Sequence, residues 1–180
     1  YTEFLSPADV DLLLSLKNIR DISFDLYGGK EHCDRVVARF GDEAYLGYNE
    51  VYPISCIVVK AKSVKFAQNL THRDFLGAIL NLGIQRSMIG DIFLNDLSSI
   101  KKDGILGYVF ILDKVMQYVL DNLERIKNTS VVASVCEEIP KGLTNRFEEK
   151  IILLSSERLD VIVAGVYGLS RSQSAALIIQ

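Results

Sequence analysis

The sequence predicts an α+β fold in three parts: an N-terminal α/β unit, a middle α/β sandwich and a C-terminal pair of short helices. Three observations predict it. Period-two or continuous apolar runs such as SCIVVKAK, GDIFLND, LGYVFILD and TSVVASVCEEI mark strands. Segments with apolar residues three and four apart, several opened by Ser or Thr, mark helices. Between residues 71 and 139 the order is helix, strand, strand, helix, strand, which is that of a split β-α-β sandwich with its helices on one face.

Ser6-Pro7 followed by Val10, Leu13, Leu14 and Leu16 reads as a capped amphipathic helix with proline in its first turn. Residues 21–29 alternate Ile22, Phe24 and Leu26 against polar neighbours and end at Gly28-Gly29, a strand and its turn. Residues 30–41 place Cys33, Val36, Val37 and Phe40 at helical spacing before Gly41, which predicts a helix. A strand over 55–62 closes the N-terminal unit, assigned to residues 1–68.

The middle unit, assigned to 69–142, opens with a helix over 71–84. Thr71 and Asp74 have capping-box spacing, Leu76, Ile79 and Leu80 form the stripe, and Gly83 stops it. Gly77 inside that helix costs about 1 kcal/mol relative to Ala, which points to close packing of a strand or an RNA backbone. Strands over 90–96 and 106–113, a helix over 114–126 and a strand over 129–139 follow. Glu148 to Leu154 reads as one further strand, and the last unit, 150–180, holds the helix pair. Its first helix carries Leu159, Ile162, Val163 and Val166 on one buried stripe, Gly168 ends it, and Ser170 starts the second.

Composition excludes several classes. The 180 residues are 49% apolar and 24% charged, within the range of globular proteins. No apolar run approaches the roughly 20 residues that span a bilayer, so no membrane span is expected. Cys33, Cys56 and Cys136 are odd in number and form no CxxC, which predicts free thiols and a cytoplasmic location. With His32 and His72 as its only histidines and no nucleophile suitably placed beside either, the chain is expected to hold no metal or cofactor and to be no enzyme. A start at Tyr1 and an uncapped end at Ile179-Gln180 predict a portion of a longer protein.

The candidates for chemistry are cationic. Net charge is −3, yet from Lys60 to Gly90 the cations Lys60, Lys62, Lys65, Arg73 and Arg86 face Asp74 alone. That run is either a solvated face or a nucleic-acid surface. His72 and Arg73 flank a helix start, where an anion is favoured. Ser170 and Gln173 form a second capping box, which accounts for the serine structurally. Arg171 and Ser172 are not so accounted for: a cation in a first turn opposes the helix dipole, and a guanidinium beside exposed N–H groups and a hydroxyl suits a bridging phosphate. Arg158 repeats the arrangement one helix earlier.

The segment ERLDVIVAGVYGLSRSQSAALI resembles the first two helices of the small RNA-binding domain named after ribosomal small-subunit protein S-four, through Arg158-Leu159-Asp160, Leu169-Ser170-Arg171-Ser172 and Leu177-Ile178. Ser174 stands where that domain usually has a small apolar residue, and the hairpin that usually follows is absent. Together with YTEFLSP, ISFDLYGG and the block from His72 to Ile92, nearly the whole chain resembles the bacterial YlmH family of RNA-binding proteins. The resemblance implies an N-terminal α/β domain, a middle domain similar to an RNA-recognition motif and a truncated S-four-like domain. It also implies non-enzymatic binding of ribosomal RNA or tRNA on the large ribosomal subunit, linked to cell division. Arg158, Ser170, Arg171 and Ser172 carry over as phosphate contacts, with Gln173, Lys60, Lys62, His72, Arg73 and Arg86 as further candidates.

RNA-recognition sheets stack bases on exposed strand aromatics. Phe93, Tyr108 and Phe110 here lie in apolar surroundings and read as core instead. Two rivals remain open: a protein-interaction module in division or translation, and an RNA-modifying enzyme. R-L-D also occurs in pseudouridine synthases, where its aspartate is the nucleophile, but here a helix and turn follow Asp160.

Overall fold

A computed structural model describes residues 1–16, 22–41, 44, 47, 51–68, 70–141, 143 and 151–178. The chain divides into two units, Tyr1–Asn145 and Arg146–Gln180. In the first, β1 (Phe4–Leu5), α1 (Pro7–Ser15), β2 (Phe24–Tyr27) and β3 (Val36–Phe40) precede β4 (Ile54–Ala61), α2 (His72–Leu80) and β5 (Ile89–Leu94). Then come α3 (Leu97–Asp103), β6 (Ile105–Leu112), α4 (Asp113–Asn122), β7 (Arg125–Ile126) and β8 (Thr129–Val135). The second unit holds α5 (Leu159–Tyr167) and α6 (Arg171–Ile178).

Among its described residues the first unit has two antiparallel sheets, in strand orders β1-β3-β2 and β5-β6-β4-β8-β7. Side chains alternate across a strand, so each strand of the larger sheet feeds two cores. Ile57 and Val59 of β4, with Leu106, Val109 and Ile111 of β6, pack against Phe75 and Ile79 of α2 and Val119 of α4. Cys56 and Val58, with Tyr108, Phe110 and Leu112, pack on the opposite face against Phe4 and Val37 of the small sheet. The larger sheet is therefore sandwiched between helices and a second sheet.

This arrangement corrects three readings of the sequence. The strand over 55–62, assigned to the N-terminal unit, is the central strand of the larger sheet, paired with β6 on one edge and β8 on the other. Four consecutive apolar residues, Cys56 to Val59, are all buried there, as a strand covered on both faces requires. It supplies the first strand of the β-α-β-β-α-β order, so residues on both sides of position 68 build one sheet. Residues 36–40 form strand β3 rather than part of a helix. The β-branched pair Val36-Val37 suits a strand, and β1 and β2 flank it on both edges. Helix α4 stops at Asn122, and Arg125-Ile126 turn back as β7 against Ser130 and Thr129, while Leu123 and Ile126 still reach the core.

Helix α3 has no counterpart in the sequence reading. The strand expected from Glu148 falls partly outside the described residues, and residues 151–154 form none. The helix expected after Ser6 is present, with a complete Ser6–Asp9 capping box, but it buries none of its residues.

A polar joint ties the two sheets together. Asp91 is buried, and its carboxylate accepts from the backbone N–H of Asp34 at 2.6 Å and of Arg35 at 3.3 Å. Arg35 donates in turn to the carbonyls of Ile89 at 3.0 Å and Phe4 at 2.9 Å. Satisfying a buried carboxylate with N–H donors is what makes its burial tolerable.

Candidate nucleic-acid interface

The helix pair at the C-terminal end is built by backbone chemistry. Gly168 adopts φ +66°, ends α5 and lets the chain bend 115° into α6. Ser170 caps α6: its Oγ accepts from the Gln173 N–H at 3.3 Å, while Gln173 Oε1 accepts from the Ser170 N–H at 2.9 Å. The Ser172 hydroxyl lies 3.1 Å from that of Ser170. Ser174, buried completely, places its hydroxyl 2.7 Å from the Asp160 carbonyl and 3.0 Å from that of Arg171. The stripe expected on α5 is displaced: Val161 is buried, whereas Leu159 and Val166 are exposed.

Arg158 and Arg171 stand at the starts of the two helices. Arg158, mostly exposed, donates to the Asp160 carboxylate at 3.0 Å. That bond holds the Asp160 carboxyl below its ordinary range, and the Arg171 guanidinium adds a weaker pull in the same direction. Arg171 is exposed in the first turn of α6. Because the Ser174 hydroxyl bonds the carbonyls of both Asp160 and Arg171, the first turns of α5 and α6 lie side by side, with Arg158 and Arg171 exposed on them beside the exposed Ser170, Ser172 and Gln173.

In the first unit Lys60 and Lys62 are exposed at the end of β4. The Ala61 N–H donates to the Gly104 carbonyl at 2.9 Å, which draws the exposed Lys101 and Lys102 at the end of α3 toward them. Sequence reasoning misses these two lysines because it sees no helix at 97–103. Lys62 donates its backbone N–H to Ser130, and Ser130 faces Arg125 across the β7–β8 hairpin.

The block around α2 separates into different roles. The Thr71–Asp74 capping box is complete, and Thr71 together with Lys127, whose ammonium lies 3.0 Å away, holds the Asp74 carboxyl down to about 2. Arg73 is exposed. His72 is exposed at the start of α2, and desolvation and the neighbouring Arg86 guanidinium lower its pKa. Arg86 is half-buried and donates to the Ile89 and Gly90 carbonyls, so it joins the polar joint around Asp91. Among the described residues nothing packs closely on Gly77: a Cβ there would meet nothing within 4 Å.

Phe93, Tyr108 and Phe110 are at most 7% exposed, and the Phe93 and Phe110 rings meet edge to face at 5.8 Å. The small sheet covers this face of the larger sheet. The three cysteines are unbonded, and burial pushes the Cys33 thiol up to about 11. Among the described residues no single helix is long and apolar enough to cross a membrane.

Comparison with known proteins adds two findings. Residues 49–138 match the family model described as "Putative RNA-binding domain in YlmH". The fold matches the solved structure of "Cell division protein ylmH from Streptococcus pneumoniae", with a TM-score of 0.55, 22% identity, and coverage of 75% of this chain and 76% of that one. No curated protein sequence matches the chain. With half its length matched to that model, the chain belongs to the YlmH family of RNA-binding proteins.

Proposed function

We propose that the protein binds ribosomal RNA or tRNA on the large ribosomal subunit in the cytoplasm, by phosphate and shape contacts and without chemistry of its own. The observation that carries this is the placing of exposed Arg158 and Arg171 at two helix starts that the Ser174 hydroxyl joins through the Asp160 and Arg171 carbonyls. A phosphate that entered there would meet two guanidiniums and the hydroxyls of Ser170 and Ser172. Gln173 serves by holding the cap. The resemblance of this helix pair to the S-four-like domain supports the same assignment. Lys60 and Lys62, joined by Lys101 and Lys102, form a second cationic face, and Arg73 stands at the start of α2. The β-α-β-β-α-β order supports a middle domain similar to an RNA-recognition motif, one that works by a surface other than its covered sheet face.

A link to cell division is supported by the matching pneumococcal structure, which is that of a cell division protein. The enzymatic rival loses its main candidate, since Asp160 is engaged by Arg158 and sits in the first turn of a helix. An Asp160→Ala protein that lost an RNA-modifying activity would restore it. The protein-interaction rival has one observation in its favour, the exposure of Leu12 and Leu14 on α1.

Co-sedimentation with ribosomal subunits, and binding to tRNA, test the proposal in the parent and an Arg158→Ala/Arg171→Ala double variant. Binding that the double variant loses is the expected result. Recruitment to subunits that survives the double substitution moves the contact to the Lys60–Arg86 face or to a protein partner.

A further inference from the structure

We infer that the sugar–phosphate backbone of RNA lies in a groove between α2 and the α4–β7 turn, on the helix-covered side of the larger sheet. The inference rests on the RNA-binding reading and adds a site to it.

The matched region, residues 49–138, excludes the C-terminal helix pair, so RNA contact in that region needs its own surface. The sheet face is closed by the buried Phe93, Tyr108 and Phe110. The groove, of about 650 Å³, is open, and every residue lining it falls inside the matched region.

Its lining has the chemistry of a backbone site. Arg73 and Arg125 supply cations beside the Lys127–Asp74 pair, and the amides of Asn81 and Asn122 suit ribose hydroxyls. Of its two acids, Asp74 is already taken by its own cap and by Lys127, which leaves Glu124 against the arginines. Phosphate is the charge that this lining complements.

Gly77 explains why the groove is open. It lies mid-helix, where glycine costs about 1 kcal/mol relative to alanine. Neither a positive φ nor a neighbouring side chain requires it, since a Cβ would meet nothing within 4 Å. What its missing side chain provides is room on the floor of the groove.

The hairpin extends the path. Arg125 is paired in register with Ser130, and Ser130 accepts from the backbone of Lys62. One strand of RNA leaving the groove past Arg125 therefore meets the lysine face of Lys60, Lys62, Lys101 and Lys102.

The test compares the full chain with Gly77→Gln and Arg125→Glu variants, reading affinity for deacylated tRNA by fluorescence anisotropy and the thermal midpoint in parallel. Gln is a better helix former than Gly, so Gly77→Gln should unfold no lower than the parent while binding roughly tenfold more weakly. Arg125→Glu should weaken binding at least as much. Parental affinity in both variants overturns the groove. So does a weakened Gly77→Gln that also melts early, if Arg125→Glu binds normally. Loss of binding in Arg158→Ala/Arg171→Ala with both groove variants intact removes this inference alone. A parent that binds no RNA removes the functional reading as well.

Discussion

The Ser174 hydroxyl lies 2.7 Å from the carbonyl oxygen of Asp160, and this contact pins the first turn of α6 to the first turn of α5. The helix starts that carry Arg158 and Arg171 lie side by side as a consequence. The hydroxyl is fully buried, so removing it leaves the carbonyl without that partner. Ser174→Ala should destabilise the helix pair by about 1 kcal/mol. Faster amide exchange across 159–167, with the first unit unchanged, is the expected reading, together with weaker RNA binding.

Asp74 makes stability depend on acidity. Its folded carboxyl titrates at about 2 against an ordinary 3.8, so it contributes stability that is present above 3.8 and lost as pH falls through about 2. Asp74→Asn should lower the thermal midpoint at pH 7 and flatten its decline in acid. A variant whose midpoint still falls in parallel with the parent between pH 4 and pH 2 would assign that decline to other carboxylates.

Gly29 has φ +99°, and a Cβ on it would lie 2.3 Å from Cδ1 of Phe110. Both the backbone conformation and the contact exclude a side chain. Gly29→Ala should cost about 2 kcal/mol or more, read as a lower urea midpoint. A midpoint within error of the parent would mean that the small sheet can lift from the larger one without penalty.

Phe110 separates the covered sheet from an RNA platform. Phe110→Leu should lower stability by roughly 1 kcal/mol and leave affinity for tRNA unchanged at a temperature where the variant is folded. Selective loss of affinity would show that the sheet face opens to take a base.

Much of the fold is legible because it is written in local chemistry. The Thr71–Asp74 and Ser170–Gln173 capping boxes stand at the helix starts their spacing predicts, and the strands expected over 90–96 and 106–113 are present at 89–94 and 105–112. Residues 36–40 mislead because Cys33, Val36, Val37 and Phe40 satisfy a helical spacing in a stretch too short to exclude a strand. Only their pairing with β1 and β2 decides it, and pairing is non-local. The run Cys56 to Val59 does carry its own signal, since a strand apolar on both faces needs cover on both.

At the site, sequence reasoning finds the exposed cations Arg158, Arg171, Lys60, Lys62 and Arg73. It does not tell them from Arg86, whose partners are backbone carbonyls. It also misses Arg125 and Lys127, which become neighbours of α2 only through the turn after α4.

The most direct measurement is the salt dependence of tRNA binding in the parent and the Arg158→Ala/Arg171→Ala variant. If phosphate contacts carry the affinity, log K falls linearly with log salt, and losing two contacts makes the slope shallower by roughly 1.4 to 1.8. A parental affinity independent of salt, or equal slopes in the two proteins, would contradict the account.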